Sequence, residues 1–102
     1  MYAVVRQYRG ADELFEALAR RRADVEEVLR GVPGFVAYTL IRGAAGGISV
    51  TVCEDRAGAE ESTERAAAWV RREVPTASWS PPEVTEGEVL YQLGRHPAAS
   101  EP

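Results

Sequence analysis

The chain has 102 residues, of which 45% are hydrophobic and 27% are charged, the composition of one ordinary globular domain. This length excludes a second full domain, and the net charge of -4 disfavours non-specific binding to nucleic acid or to an anionic membrane. Cys53 is the only cysteine, which excludes an intrachain disulfide and a zinc site built from thiolates. No long apolar stretch or charged leader is seen, so we expect a cytoplasmic protein.

The first strand and the first helix follow each other directly. Tyr2 to Arg9 contains two valines and two tyrosines and ends before Gly10, which predicts a β-strand. From Ala11 to Arg30 apolar residues recur on one helical stripe, and Gly31 and Pro33 then stop the helix. The pattern predicts one continuous helix of about five turns.

A hairpin and a second helix come next. Gly34–Gly43 and Ile48–Glu54 are rich in β-branched and aromatic residues, and the short glycine-containing segment between them predicts an antiparallel hairpin. Asp55 is expected to cap a helix over Arg56–Val74, which ends at Pro75 and buries mainly alanine.

The last third of the chain is harder to assign to elements. Thr76–Gly87 is rich in Pro, Ser and Thr and is expected to be an extended surface connection, with Trp79 folded back to plug the domain surface. Glu88–Leu93 is the predicted last strand. We therefore expect one domain over residues 1–93 and a flexible tail over 94–102.

The order of these elements predicts an α+β, ferredoxin-like split βαβ fold (βαββαβ). It has a four-stranded antiparallel sheet with two helices on one face. Whichever set of alternate strand residues faces the helices, apolar residues also remain on the other face. An uncovered apolar sheet face is adhesive, so we expect a homodimer that hides this face against its own copy.

A known family shares several of these features. The turn Pro33-Gly34-Phe35, the hairpin and the Trp-bearing second helix resemble the antibiotic biosynthesis monooxygenase-like family of the dimeric α/β-barrel superfamily. The resemblance covers Tyr2 to Leu93 and implies a dimeric α/β barrel with a pocket between sheet and helices in each subunit. Members include cofactor-independent monooxygenases of quinols and polyketide-derived phenols, haem-degrading enzymes and many small proteins without established activity.

Four residues are candidates for lining the implied pocket. Cofactor-free oxygenation needs an electron-rich substrate held as its anion, so a cationic or hydrogen-bonding group must face the ring oxygen. Arg6, Tyr8 and Tyr38 are such groups on the first two strands, and Trp69 lies on the helix where the related haem degraders place a pocket Trp. The alternative is that the arginine forms an interface ion pair and that the aromatic residues pack in the core.

Other polar residues have simpler interpretations. Ser49 and Thr51 share a sheet face, where they line a cavity or meet the partner subunit. Cys53 is expected to be inert, and His96, the only histidine, to be solvated in the tail without a metal site. In the haem-degrading branch of the family that the chain resembles, the Trp works with an Asn and a His. The chain has no Asn and its only histidine lies in the tail, so haem degradation is disfavoured, and no cofactor is expected.

Two functions remain open from the sequence. One is a homodimeric protein that binds a small apolar or aromatic ligand. The other is a cofactor-independent monooxygenase of a quinol-like or polyketide-derived aromatic substrate. A cavity of several hundred cubic ångströms lined by Arg6, Tyr38 or Trp69 favours catalysis, whereas a filled interior favours binding or a structural role.

Overall fold

The computed structural model describes residues 1–74 and 80–94 and contains four strands and three helices in these ranges. Their bounds are β1 Tyr2–Arg9, α1 Asp12–Arg20, α2 Arg22–Arg30, β2 Phe35–Gly43, β3 Gly46–Cys53, α3 Arg56–Glu73 and β4 Glu83–Glu88. The strands form one antiparallel sheet in the order β2-β3-β1-β4. The α+β ferredoxin-like fold is therefore confirmed.

The helices cover one side of this sheet. Tyr8 of β1 meets Phe15 of α1 edge to face at 5.7 Å, and Val4 packs with Ala59 of α3. Side chains alternate along a strand, so the helix-facing side also holds the cross-strand partners of Arg6 and Val4 in β3, which are Ser49 and Thr51.

We call the opposite side the open face. It consists of Ala3, Val5 and Gln7 in β1, Ile48, Val50 and Val52 in β3, Ala37, Thr39 and Ile41 in β2, and Glu83 and Thr85 in β4. Its residues in β2, β3 and β1 are mainly apolar, and no helix of the described chain packs on it.

The first predicted helix is wrong in one respect, because the chain breaks at Arg21 into α1 and α2. Arg21 leaves helical geometry with φ −110° and ψ 40°, although the local sequence contains neither Gly nor Pro. Its guanidinium pairs with Asp24 in the first turn of α2 and with Glu73 of α3, both at 2.8 Å. The break is thus stabilised by a contact with a distant helix, which local periodicity does not contain.

The last predicted strand is also wrong, because β4 spans Glu83–Glu88 rather than Glu88–Leu93. The last part of Thr76–Gly87, which was expected to be a surface connection, therefore belongs to β4. Val84 lies opposite Arg6 in β1, and Glu88 lies opposite Tyr2. The position of this edge strand is set by main-chain pairing with β1, which tolerates polar side chains, and an apolar pattern is a poor guide to it.

The expected cap of the long helix is present. The Asp55 side chain accepts a hydrogen bond from the Gly58 amide at 2.9 Å at the start of α3. The predicted helix stop at Pro75, the Trp79 plug and tail residues 95–102 lie outside the described residues. Within the described ranges no helix is long and apolar enough to cross a membrane.

Candidate functional site

A small cavity lies between the helix-facing side of the sheet and all three helices. Its volume is about 50 Å³. The four residues singled out from the sequence, Arg6, Tyr8, Tyr38 and Trp69, all line it. The remaining walls come from β3, α1, α2 and α3, namely Ser49, Thr51, Leu14, Leu18, Val25, Val28, Leu29, Ala66 and Val70.

Arg6 is the most unusual residue of this cavity. It is only 5% exposed, and its guanidinium donates hydrogen bonds to Thr51 Oγ1 at 3.2 Å and to Thr63 Oγ1. Within residues 1–74 and 80–94, no carboxylate forms an ion pair with it. A guanidinium has five N–H donors, and buried charges are ordinarily paired. The hydrogen-bond acceptors of this buried cation are therefore neutral hydroxyl groups, while Glu86 attracts it electrostatically without an ion pair.

Burial lowers the pKa of Arg6, while Tyr8, Tyr38, Cys53 and Glu86 oppose this shift. An arginine nevertheless remains protonated in proteins, because its ordinary pKa is so high. The cavity thus carries a positive charge near neutral pH. In a poorly solvated space such a charge attracts an anion more strongly than it does in water.

Two phenols flank this cation. Burial raises the pKa of Tyr8 and of Tyr38, and the neighbouring charge of Arg6 opposes the shift in both. Both side chains are therefore neutral near pH 7, where a phenol both donates and accepts hydrogen bonds. Together with Arg6 they can hold an oxyanion.

A larger groove opens beside the cavity, between α1, α2 and β2. Its volume is about 690 Å³, and it shares Leu18, Val25, Leu29 and Tyr38 with the inner cavity. These four residues therefore form a wall that is common to both spaces. The sequence posed a choice between a large cavity and a filled interior; the structure has instead a small inner cavity and a larger, open groove beside it.

Trp69 contacts Arg21, the residue at which the chain breaks between α1 and α2. Its side chain is buried, and the guanidinium of Arg21 lies over the indole ring at 5.2 Å from the centroid. A cation at this distance from an aromatic face is attracted to it. The same Arg21 that interrupts the helix thus fixes one wall of the cavity.

Thr63 is the residue that sequence reasoning missed. It lies on α3, and its hydroxyl accepts from Arg6 and also contacts the Ala59 carbonyl oxygen at 3.3 Å. It follows Ala59 by four positions and precedes Ala66 by three, so it belongs to the buried stripe of the helix. A threonine hydroxyl among the buried alanines of α3 is the sequence feature that could have indicated this residue. Ser49 and Thr51, left open between cavity and partner, both line the cavity.

Comparison with known proteins gives similarity of fold only. No family model and no curated protein matches the sequence. The haem degrader MhuD of Mycobacterium tuberculosis, solved with two haems in its active site, is 18% identical at a TM-score of 0.68 over 92% of this chain and 100% of that one.

Two further structures of similar fold are described as monooxygenases rather than as haem degraders. The monooxygenase ActVA-Orf6 of Streptomyces coelicolor, solved with nanaomycin D, is 14% identical at a TM-score of 0.67 over 93% of this chain and 92% of that one. A candidate antibiotic biosynthesis monooxygenase of Nitrosomonas europaea is 20% identical at a TM-score of 0.68 over 89% and 100% of the two chains.

The inner cavity does not fit haem. A volume of about 50 Å³ is far too small for a porphyrin, and residues 1–74 and 80–94 contain no histidine to serve as an axial ligand. In the same ranges no cluster of three His, Cys, Asp or Glu side chains is placed to hold a metal ion.

The structural neighbours nevertheless agree in architecture, since each aligns over nearly the whole chain. The expectation from the Pro33-Gly34-Phe35 turn and the Trp-bearing helix is thereby confirmed for the fold. The chain has the ferredoxin-like α+β fold of the antibiotic biosynthesis monooxygenase-like proteins.

Proposed function

We propose that this protein binds a small aromatic ligand that carries an acidic hydroxyl or carboxylate group, with Arg6 as the partner of that anion. The observation that carries the proposal is the burial of Arg6 without an ion pair to any carboxylate of the described residues. A buried cation of this kind is costly in the empty protein, and a ligand anion compensates it.

The dimensions of the two spaces support a two-part ligand. The inner cavity of about 50 Å³ has room for a few water molecules or for one polar end of a ligand. The groove of about 690 Å³ is in the range that holds small-molecule ligands. We therefore expect the acidic end to lie beside Arg6 and the apolar rings to lie between α2 and β2.

The binding of 1-hydroxy-2-naphthoate and of neutral 1-methoxynaphthalene, measured by calorimetry, tests this proposal. We expect the anion to bind at least about tenfold more tightly, because an ionised acceptor strengthens its hydrogen bonds to arginine. In an Arg6→Met variant the two affinities are expected to become equal, since the apolar walls are unchanged.

The matched control is Arg42→Met, which removes one arginine that is paired with Glu16 on the surface. It changes the net charge by the same amount but leaves the cavity intact. If Arg6→Met and Arg42→Met retain the same preference for the anion, Arg6 is not the anion site and the proposal fails.

A second candidate function is cofactor-independent oxygenation, and the presence of Tyr8 and Tyr38 in the same cavity as Arg6 favours it. These groups stabilise the anion of an anthrone or a quinol, which is the form that reacts with oxygen. For an anthrone, the ring CH₂ becomes a carbonyl. One atom of O₂ enters that carbonyl, and the other leaves as water with the two hydrogens.

Oxygen uptake with dihydroxynaphthalenes and anthrones separates this function from binding alone. Uptake above the spontaneous rate, lowered at least about 100-fold by Arg6→Ala with Trp69→Phe, is expected for an enzyme. Binding of 1-hydroxy-2-naphthoate without any uptake above that of the double variant leaves the protein as a binding module for this panel.

We also infer that the protein is a homodimer joined through the open face. Val5, Val50 and Ile48 lie in the middle of that face, and Ile41 at its edge is 50% exposed. An apolar sheet face of this kind is stable in water when a second copy covers it. Sedimentation equilibrium at micromolar concentration tests this, and a single species of 11.1 kDa contradicts it.

A further inference from the structure

The α2 helix is held less firmly than the elements around it. Of its nine residues only Leu29 is buried, whereas three residues of α1 are buried. Non-helical backbone lies at both ends of α2. Arg21 precedes the helix with φ −110°, and the turn that follows it contains Gly34 at φ 76°, a left-handed conformation that glycine adopts readily. A short helix between two such points can move as one body, because the residues at its ends absorb the change.

This helix forms half of the wall between the inner cavity and the groove. Val25 and Leu29 of α2 line both spaces, together with Leu18 of α1 and Tyr38 of β2. A ligand with its acidic end beside Arg6 and its rings in the groove has to pass between these side chains. β2 is held by its main-chain pairing with β3 and α1 by its buried residues, so α2 is the part of the wall that can yield.

One network of ion pairs ties α2 to α3. We call it the latch, and it consists of Asp24, Arg21 and Glu73. The Arg21 guanidinium pairs with Asp24 in the first turn of α2 and with Glu73, the last residue of α3, each at 2.8 Å. It also lies over the indole ring of Trp69 in the cavity wall. The side chains of Arg21 and Glu73 are only 35% and 26% exposed, so solvent screens this pair less than it screens a surface pair.

We propose that Arg21 is a positioning residue of the ligand site, whose ion pair with Glu73 keeps α2 closed over the inner cavity until a ligand moves α2 aside. The bound ligand occupies the gap beside Val25 and Leu29, so the pair between Arg21 and Glu73 is broken in the complex. This inference rests on the ligand site proposed above and adds how that site opens. The affinity of the site is then reduced by the fraction of molecules in which α2 is already open.

A tighter complex is therefore expected when the latch is weakened. Glu73→Gln removes the ion pair but leaves Arg21 over Trp69, so it destabilises the closed state and not the open one. We expect 1-hydroxy-2-naphthoate to bind at least about threefold more tightly to this variant. In stopped-flow fluorescence of the naphthoate, the association rate constant should rise by the same factor while the dissociation rate constant stays unchanged. Loss of a contact with a purely structural role would instead weaken binding.

The matched control is Glu60→Gln on the same helix. Glu60 pairs with Arg56 at 3.0 Å on the surface and lines neither the cavity nor the groove. The two variants change the net charge equally, so a general gain in the attraction of an anion appears in both. If Glu73→Gln binds the naphthoate no more tightly than Glu60→Gln does, the proposal is overturned.

Hydrogen exchange of the ligand-free protein tests the latch without a ligand. A helix of nine residues is not stable alone in water, so the amides of α2 exchange faster when its packing is loosened. We expect the amides of residues 25–30 to exchange at least about threefold faster in Glu73→Gln than in Glu60→Gln, with those of α1 and β1 unchanged. Equal exchange of α2 in the two variants overturns the proposal. Faster exchange throughout the sheet also overturns it, because the pair would then stabilise the whole domain.

The outcomes separate the latch from the ligand site. If Arg6→Met keeps the preference for the anion, the ligand site fails, and the control of that site by α2 fails with it. If Arg6→Met abolishes the preference but Glu73→Gln matches Glu60→Gln in affinity and in exchange, the latch fails and the ligand site at Arg6 stands.

Discussion

Each side of the sheet departs from the pattern that is usual for it. The helix-facing side, which should be the apolar interior, holds buried Arg6, Ser49 and Thr51. The open face, which should be polar if it met water, has Val5 and Val50 at its centre. The difference shows that the two sides answer different requirements. In the proposed function, the polar groups of the interior bind the anion of a ligand, and the apolar groups of the open face are covered by a second subunit.

The cost of the polar interior is moderated by its neighbours. Arg6 has two threonine hydroxyls as acceptors and two phenols beside it, so its charge is partly solvated by the protein. Such groups replace water imperfectly, because two fixed hydroxyls accept fewer hydrogen bonds than the five N–H donors of a guanidinium can make in water. The interior is therefore stable enough to fold yet retains an unmet preference for an anion, and this preference is the basis of the proposed binding.

The largest effect is expected from a charge on the open face. Val50→Asp puts two carboxylates into the proposed interface, where neither has a cation. We expect the dimer dissociation constant to rise at least about 100-fold, or about 2.7 kcal/mol, because a buried unpaired charge is costly. Sedimentation equilibrium measures this. Val50→Thr is the control of equal shape, and a Val50→Asp protein that remains dimeric would show that the open face is not the interface.

A smaller effect is expected on the helix-facing side. Thr51→Val removes an acceptor of Arg6 at a fully buried position, and we expect a loss of about 2 kcal/mol in the free energy of unfolding. The Arg6→Met, Thr51→Val double variant should lie within about 1 kcal/mol of the unaltered protein, because no buried charge is left unpaired.

Urea denaturation at one fixed protein concentration checks both values. Glu64→Gln, at an exposed position of α3 away from the open face, is the control and is expected to change stability by less than about 0.5 kcal/mol. Additive effects of Arg6→Met and Thr51→Val would mean that the two side chains do not depend on each other.

The smallest effect is a dependence of stability on alkaline pH. Burial raises the pKa of Tyr8 and Tyr38 in the folded protein, so folding favours their protonated forms. This stabilisation is complete below the unfolded pKa of about 10 and is lost as the pH rises through the higher folded values. Urea unfolding between pH 9 and pH 11 should show the loss. The Tyr8→Phe, Tyr38→Phe double variant should lose less of its free energy of unfolding over this pH range. An equal loss would show that the two phenols are not the source of the pH dependence.

Parts of the candidate site could be predicted from the sequence because they depend on strand geometry. Arg6 and Tyr8 are two residues apart in one strand, so they must share a side of the sheet. That they face the helices rather than the partner could not be predicted, because both alternate sets contain apolar residues. Tyr38 of β2 and Thr63 and Trp69 of α3 join them from two other elements, and only packing brings those elements together.

The two corrected elements have a similar explanation. The continuous apolar stripe from Leu14 to Leu29 contains no local reason to stop, and the break at Arg21 comes from its contacts with Glu73 and Trp69 on α3. The apolar residues of Leu90 to Leu93 suggested a strand of the same sheet, but they lie beyond it. An exposed apolar segment and a strand have the same composition, and only the pairing partner distinguishes them.

The sequence by itself determined the order of strands and helices, the α+β class and the sharing of a side by Arg6 and Tyr8. These follow from short-range periodicity and from turn residues, which act between neighbours in the chain. The tertiary structure alone decided which side of the sheet is the interior, where the fourth strand lies and which side chains surround Arg6. Those properties depend on contacts between residues far apart in sequence, because the burial of a side chain is set by the segment that covers it.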